Sequence, residues 1–273
     1  MKESYKIGDQ HIHRIGFGTM RTTTGPGIWG ETADKQQAIL VIRAAIENGA
    51  NLIDTADAYG PYTSELLVAE AIAPYKEKVM VATKGGFVKY KPGAVIPNGH
   101  PYYLKTAVEG SLRRLGKETI DLYFLHAVDP NIPIEESVGA LKSLQEEGKI
   151  NRIGLSNVSI DQLQRALTVG KIEAVQNAFN YENRKSSDLI AMTNEMGIAF
   201  IAHTPIARNT WSAEVLKEAA TLGMSANQFS LAWILRYSDN IIAIPGTSSI
   251  EHLLENMRTT SLHQEQYNLK TTY

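Results

Sequence analysis

Three short apolar runs in this chain each end beside residues that can handle a proton. Asn51-Leu52-Ile53 leads into Asp54-Thr55-Ala56-Asp57-Ala58-Tyr59-Gly60. Val79-Met80-Val81-Ala82-Thr83 ends in Lys84, and Leu122-Tyr123-Phe124-Leu125 ends in His126. If these runs are neighbouring strands of one parallel sheet, Asp54, Tyr59, Lys84 and His126 emerge together at one edge. That set suits the delivery of a proton to a carbonyl oxygen. A free phenol has a pKa near 10, too high for easy exchange at neutral pH. An adjacent ammonium favours the phenolate, so Lys84 is expected to lower the pKa of Tyr59. Asp54 would keep Lys84 charged and in place, and His126 would hydrogen-bond and orient the substrate oxygen.

The elements that must position these side chains repeat along the chain. Candidate helices close at Gly49, Gly116, Gly148, Gly170 and Gly197, residues that accept the left-handed conformation ending a helix. A short apolar strand follows each. Eight strands are expected, at 15–19, 51–53, 79–83, 121–125, 152–155, 174–176, 198–202 and 241–244. They are continuous apolar runs, the signature of a parallel sheet covered on both faces. Between them lie helical patterns such as Lys35–Glu47, with Ile39, Ile42, Ala45 and Ile46 on one stripe. Eight alternating units predict a single (β/α)8 TIM barrel over residues 1–273. A doubly wound sheet should carry a glycine-rich fingerprint in its first βα turn, and none is present. Residues 5–13 read as a short β-hairpin closing the barrel bottom. Two long connections, 21–31 and 85–101, leave the catalytic ends of their strands.

The bulk properties exclude several classes. At 273 residues and a net charge of -2, the chain has no basic excess with which to replace phosphate counterions, so nucleic acid is not an expected partner. The absence of cysteine removes disulfides and thiolate metal sites. The polar start, MKESYKIGDQ, is no secretory leader, and no apolar run reaches the roughly 20 residues that span a bilayer. A soluble cytoplasmic protein is expected, with its oligomeric state left open.

Reading past each expected strand adds Ser156 with Asn157, Gln176, His203 and Pro245-Gly246-Thr247 to the same edge. Ser248, with Glu251 three positions on, is expected to form a capping box. Such a helix start after the eighth strand suits a phosphate. The pair His11 and His13 precedes its strand and lacks later partners, so no metal is expected. His100 and His263 read as surface residues.

Taken together these residues resemble the aldo-keto reductase family. The likeness runs through Ile15-Gly16-Phe17-Gly18-Thr19, 51–60, Ala82-Thr83-Lys84, Leu125-His126, Gly154-Leu155-Ser156-Asn157, Val175-Gln176-Asn177 and 244–257. The resemblance implies a catalytic tetrad of Asp54, Tyr59, Lys84 and His126. It implies NADP(H) as cofactor, with NAD(H) also usable. Ser156, Asn157 and Gln176 would hold the nicotinamide carboxamide, and His203 would stack on the ring where an aromatic, often tyrosine, is usual. Gly18, Thr19, Met20, Asp54, Thr204, Pro205 and Ile206 would line the cofactor. Gly246, Thr247, Ser248, His252, Glu255 and Asn256 would take its adenosine-phosphate end. Trp29, Tyr59, Phe87 and His126 would face a small carbonyl substrate.

Many members carry lysine and arginine where this chain has Gly246 and His252, so only a modest preference for NADPH over NADH is expected. The loop Gly25-Pro26-Gly27-Ile28-Trp29-Gly30 and the 244–257 stretch are most similar to a bacterial subgroup that includes pyridoxal reductases. The implied activity is reduction of an aldehyde or ketone to an alcohol, with the hydride from nicotinamide and the proton from Tyr59. The other function the resemblance allows is a nucleotide-binding regulatory module like the potassium-channel β-subunits. No added N-terminal segment is seen that could tether one.

Overall fold

The computed structural model describes residues 2–23, 28–206 and 211–261. Gly25-Pro26-Gly27 of the first long connection, and His263, lie outside them. The expected hairpin is present. Strands β1 (Ser4–Ile7) and β2 (Gln10–His13) pair antiparallel around a Gly8 turn. Next come β3 (Phe17–Gly18), α1 (Lys35–Glu47), β4 (Leu52–Asp54), α2 (Thr63–Ile72) and β5 (Met80–Gly85). A second hairpin, β6 (Phe87–Lys91) and β7 (Ala94–Pro97), precedes α3 (Pro101–Leu115). The chain continues through β8 (Leu122–Leu125), α4 (Ile134–Glu146), β9 (Ile153–Ser156), α5 (Ile160–Leu167), β10 (Ala174–Ala178) and α6 (Ser187–Glu195). Then come β11 (Ala199–His203), α7 (Ala213–Thr221), α8 (Ala226–Tyr237), β12 (Ile241–Ala243) and α9 (Ile250–Met257), followed by a 3-10 turn, Arg258–Ser261.

Among the described residues eight parallel strands run in the order β3-β4-β5-β8-β9-β10-β11-β12. A parallel bridge between Ile15 and Ala243 joins the two edges and closes the barrel. Gly16 N–H donates to Ala243 O, and Ala243 N–H to Arg14 O, across the same seam. The continuous apolar runs follow from this geometry, because successive side chains point alternately inward and outward. Leu52, Met80, Ala82, Leu122 and Phe124 fill the barrel interior. Ile53, Val81, Leu125, Leu155 and Val175 pack outward against the helices. Ile7 and Ile12 of the first hairpin belong to the interior cluster, so the hairpin stops the barrel floor. Arg14, fully buried there, donates through Nε to Ile241 O and through Nη2 to Leu235 O and Ser238 O, both at 2.7 Å.

Three local expectations are corrected. The first strand is shorter than 15–19. Thr19 starts a 3-10 turn, Thr19–Thr22, because its hydroxyl is drawn to Asp54 O at 2.9 Å. The connection 85–101 is a β-hairpin, turning at Gly93 with φ +74. Gly170 does not take the left-handed conformation that Gly49, Gly116, Gly148 and Gly197 adopt; α5 ends at a right-handed Thr168 instead. Within Lys35–Glu47, Ile39, Ile42 and Ala45 are buried as expected, while Ile46 is half-buried. Among the described residues no helix is long and apolar enough to cross a membrane.

Candidate active site

The C-terminal ends of β4, β5 and β8 bring Asp54, Lys84 and His126 together, and the β4–α2 loop returns Tyr59 to them. Asp54 is 2% exposed, Lys84 0% and His126 8%. Lys84 Nζ lies 2.5 Å from Asp54 Oδ1, 2.7 Å from Thr55 O and 3.5 Å from the Tyr59 hydroxyl. An ammonium has three protons, and these three acceptors use all of them. Tyr59 oxygen is therefore an acceptor toward Lys84, which leaves its own proton to point elsewhere. The other Asp54 oxygen, Oδ2, accepts from Gln176 Nε2 at 2.8 Å.

The electrostatics correct one expectation. Burial raises the Tyr59 pKa above its ordinary value, and Lys84 pulls it back only in part. The phenol is thus a protonated donor at neutral pH, not a partly ionised one. Burial also raises the Asp54 carboxyl, against the pull of Lys84. Burial alone would lower Lys84, but Asp54 and Tyr59 outweigh it and hold the ammonium charged. His126 is pushed well below the usual imidazole range by burial and then by the Lys84 charge, so it is neutral. Its ring packs on Phe87 with centroids 4.6 Å apart and meets Tyr59 edge-on at 6.0 Å. His126 Nδ1 is buried without a hydrogen-bond partner.

Ser156 and Asn157 stand at the end of β9, and Asn157 adopts φ +57. Asn157 Nδ2 donates to His126 O and Ser156 Oγ, both at 3.0 Å. His203 joins Asn157 Oδ1 through Nε2 at 3.2 Å and Thr204 Oγ1 through Nδ1 at 3.1 Å. Burial and the Lys84 charge take its pKa down to about 4. Neutral His203 can present a flat face where a cation would be repelled. Thr204 sits at φ +52, held by Asn180 Nδ2 on its carbonyl at 2.9 Å. Pro205 O accepts from Ser230 Oγ at 3.0 Å, and half-buried Ile206 packs against the outer core. The Thr19 hydroxyl is committed to Asp54 O and to Ser64 Oγ at 2.7 Å, leaving its backbone beside Gly18 and half-buried Met20. Trp29 bridges Gly60, next to Tyr59. Lys89 Nζ on β6 donates to Ile28 O at 2.9 Å, tying the second hairpin to the Trp29 loop.

The far end of the site is built differently from expectation. The cap of α9 is Ser249, not Ser248, since Ser249 Oγ accepts from His252 N–H at 3.3 Å. Thr247 Oγ1 is already engaged, accepting from Ser249 N–H at 3.0 Å. That turn moves the helix start one residue on and removes the capping box. Ser248 and His252 stay exposed and Glu255 half-buried, while Asn256 is buried with Oδ1 unpartnered. A Cβ on Gly246 would stand 2.5 Å from Gly18 O, so position 246 has no room for the lysine common elsewhere. Arg21 Cγ lies 3.6 Å from that same point, and Arg21 is exposed. Sequence reasoning missed this cation because its neighbour is far away in the chain; the small residues Gly18 and Gly246 were the available signal. An orphaned buried amide, a glycine cradle and an adjacent arginine fit a phosphate-bearing nucleotide. His13 Nδ1 lies 2.9 Å from Ile15 O, and His100 caps α3 by accepting from Tyr102 N–H.

Comparison with known proteins agrees with this geometry. The Aldo/keto reductase family profile matches residues 14–271. An uncharacterised oxidoreductase of Schizosaccharomyces pombe is 39% identical over 260 residues, covering 94% of this chain and 84% of that protein. Pyridoxine 4-dehydrogenase of Escherichia coli is 36% identical over 276 residues, covering 98% and 96%. The crystal structure of an aldo/keto reductase from Klebsiella pneumoniae with NADP and acetate superposes with a TM-score of 0.81 at 28% identity, covering 97% of this chain and 93% of that one. The barrel, the site at its C-terminal edge and the match along nearly the whole length agree: this chain belongs to the aldo/keto reductase family.

Proposed function

We propose that the protein reduces small aldehydes or ketones with NADPH, through a proton delivered by Tyr59, and that a flat aromatic aldehyde of the pyridoxal kind is its substrate class. The observation that carries this is the fully used Lys84 ammonium, which accounts for its protons on Asp54, Thr55 and Tyr59 and leaves the Tyr59 proton outward. A bound nicotinamide cofactor supplies the hydride to the carbonyl carbon. Tyr59 gives its proton to the carbonyl oxygen, general acid catalysis worth about 10²–10⁴-fold. Lys84 stabilises the phenolate left behind, and Asp54 keeps Lys84 charged. Neutral His126 orients the carbonyl oxygen by a hydrogen bond. Ser156, Asn157 and Gln176 would hold the nicotinamide amide, and His203 would back the ring.

Arg21, Thr247, Ser248 and His252 would hold the adenosine-phosphate end, with Glu255 and Asn256 beside it. One exposed arginine, Arg21, beside neutral hydroxyls worth about 0.5–1.5 kcal/mol each, would give a modest preference for NADPH over NADH, of the order of the tenfold that Arg21 contributes. Support for the cofactor comes from the NADP-bound Klebsiella relative. Support for the substrate comes from the E. coli pyridoxine 4-dehydrogenase and from the aromatic walls offered by Trp29 and Phe87. The test is NADPH oxidation followed by absorbance, with pyridoxal, benzaldehyde, a ketone and a sugar in parallel. Turnover with pyridoxal and its loss in Tyr59→Phe are expected. No cofactor oxidation with any carbonyl would overturn the reading.

A further inference from the structure

Ser64 belongs to the first turn of α2, yet its bonds run to the tetrad. It is fully buried, as are Thr19 and Thr55, and the three hydroxyls form a row. Thr55 Oγ1 lies 2.9 Å from Ser64 Oγ, Ser64 Oγ 2.7 Å from Thr19 Oγ1, and Thr19 Oγ1 2.9 Å from Asp54 O. A hydroxyl has one proton and a carbonyl has none, so the direction of the row is fixed. Thr19 spends its proton on Asp54 O. Ser64 must then donate to Thr19, and Thr55 to Ser64. Every hydroxyl proton in the row has an acceptor.

Backbone groups draw the tetrad to the same point. Gly60 turns at φ +110 between Tyr59 and α2. The helix has no side-chain cap, and the first N–H groups of a helix lack partners within it. Ser64 N–H donates instead to the Tyr59 carbonyl at 3.2 Å. Thr55 gives its hydroxyl proton to Ser64 and offers its carbonyl to the Lys84 ammonium at 2.7 Å. Thr19 opens the Thr19–Thr22 turn, and Thr22 Oγ1 donates to Thr19 O at 2.6 Å. Ser64 therefore touches the peptide of the proton donor. One bond further on lie a Lys84 partner on one side and the Asp54 backbone on the other. Buried and fully satisfied, such a row rigidifies what it joins.

We propose that Ser64 is a positioning residue for the proton donor: its N–H and hydroxyl hold the Tyr59 peptide, the Thr55 carbonyl that binds Lys84 and the Asp54 backbone as one unit, joined to the Thr19 turn. Fully buried, Ser64 acts through these groups and not on the substrate itself. This rests on the reductase reading, and the experiment separates the two.

Wild-type protein is first assayed with NADPH and pyridoxal; then come Ser64→Ala, Thr55→Val, Thr55→Ser and the double variant of Ser64→Ala with Thr55→Val. Thr55→Val keeps the volume and deletes the hydroxyl. Thr55→Ser keeps the hydroxyl and deletes a methyl. If Ser64→Ala folds poorly, this pair carries the test. Misplacement of the reacting groups is expected to lower kcat about tenfold in Ser64→Ala and in Thr55→Val. KM for pyridoxal and Kd for NADPH, the latter from fluorescence quenching, stay within about twofold. Thr55→Ser keeps kcat within about twofold of wild type, although the cavity left by its methyl lowers the unfolding midpoint as well. The double variant is no worse than the poorer single one, as expected for parts of one row. Losses that multiply, or a kcat that follows the unfolding midpoint in every variant with Thr55→Ser included, would show a merely structural row and overturn the proposal. An active wild type with unimpaired Ser64→Ala and Thr55→Val overturns it alone; an inactive wild type overturns the reductase reading and the positioning role with it.

Discussion

The Lys84 ammonium stands 3.5 Å from the Tyr59 hydroxyl oxygen, and the phenol nonetheless keeps a raised pKa. Burial wins over the cation. The pair is therefore set up as a proton donor with a stabilised conjugate base, rather than as a resting phenolate. In the reductive direction that is the useful starting state, since the proton must be present before the carbonyl arrives.

Tyr59→Phe removes only the hydroxyl, and the ring still packs. Turnover should fall by about 10²-fold or more, the usual size of a general-acid contribution. NADPH should still quench protein fluorescence with a Kd near wild type. A variant keeping more than about a tenth of kcat would exclude Tyr59 as the acid.

The pH profile follows from the directions of the shifts. Tyr59 must be protonated for reduction, and its pKa lies above the ordinary 10.0. The reductive rate is full below that pKa and is lost only as pH rises through it. Alcohol oxidation needs the phenolate and should climb with pH over the same range. His126 sits well below 6.5, so neither direction should show a break there. Lys84→Met removes the pull toward the phenolate. Its residual oxidation limb should move to higher pH, and an unmoved limb would contradict the role given to Lys84.

Arg14 and Ile241, 227 residues apart in sequence, meet at the barrel floor. Arg14→Met would take this donor from the buried carbonyls of Ile241 and Leu235, while Ser238 O keeps the Ile241 N–H. At about 1–3 kcal/mol for each buried group left unsatisfied, the loss should be about 2 kcal/mol or more in denaturant titrations. Activity per folded molecule should persist, because Arg14 lies at the end of the barrel away from the site.

Arg21→Met should weaken NADPH binding about tenfold, the scale of one charge-assisted hydrogen bond, and should flatten its salt dependence. NADH, without the extra phosphate, should lose less. Adding Gly246→Lys should not restore affinity, since a Cβ there meets Gly18 O. Restoration would show that the glycine cradle is not a steric requirement.

The strand ends were legible because each apolar run stops at one polar residue, and a closed parallel sheet has both of its faces covered. The tetrad was readable for that reason. The second hairpin was not, although Phe87-Val88-Lys89-Tyr90-Lys91 is strand-like in composition; Pro92 and Pro97 made it look like loop. The burial of Asp57 and Glu65 was not read from the sequence, because only the packing of α2 and α3 against β5 hides them. Arg21 needed the closed barrel to bring it to Gly246. The α9 cap shifted by one residue because Thr247 captures the Ser249 N–H, a competition between neighbouring hydroxyls that spacing alone does not rank. The sign of the Tyr59 shift depended on the depth of burial, which a motif does not carry.

The seam between Ile15 and Ala243 joins the first barrel strand to the last, and its closure waits on nearly the whole chain. Gly18 and Arg21 flank it on one side, Gly246 and the start of α9 on the other. A nucleotide held by both sides would act as a staple across the last joint to form. By mass action such a ligand at a hundred times its Kd adds about 2.7 kcal/mol to the folded state. The loaded barrel should accordingly resist the opening of β3 from β12 most of all, with amide exchange slowing first at Gly16 and Ala243.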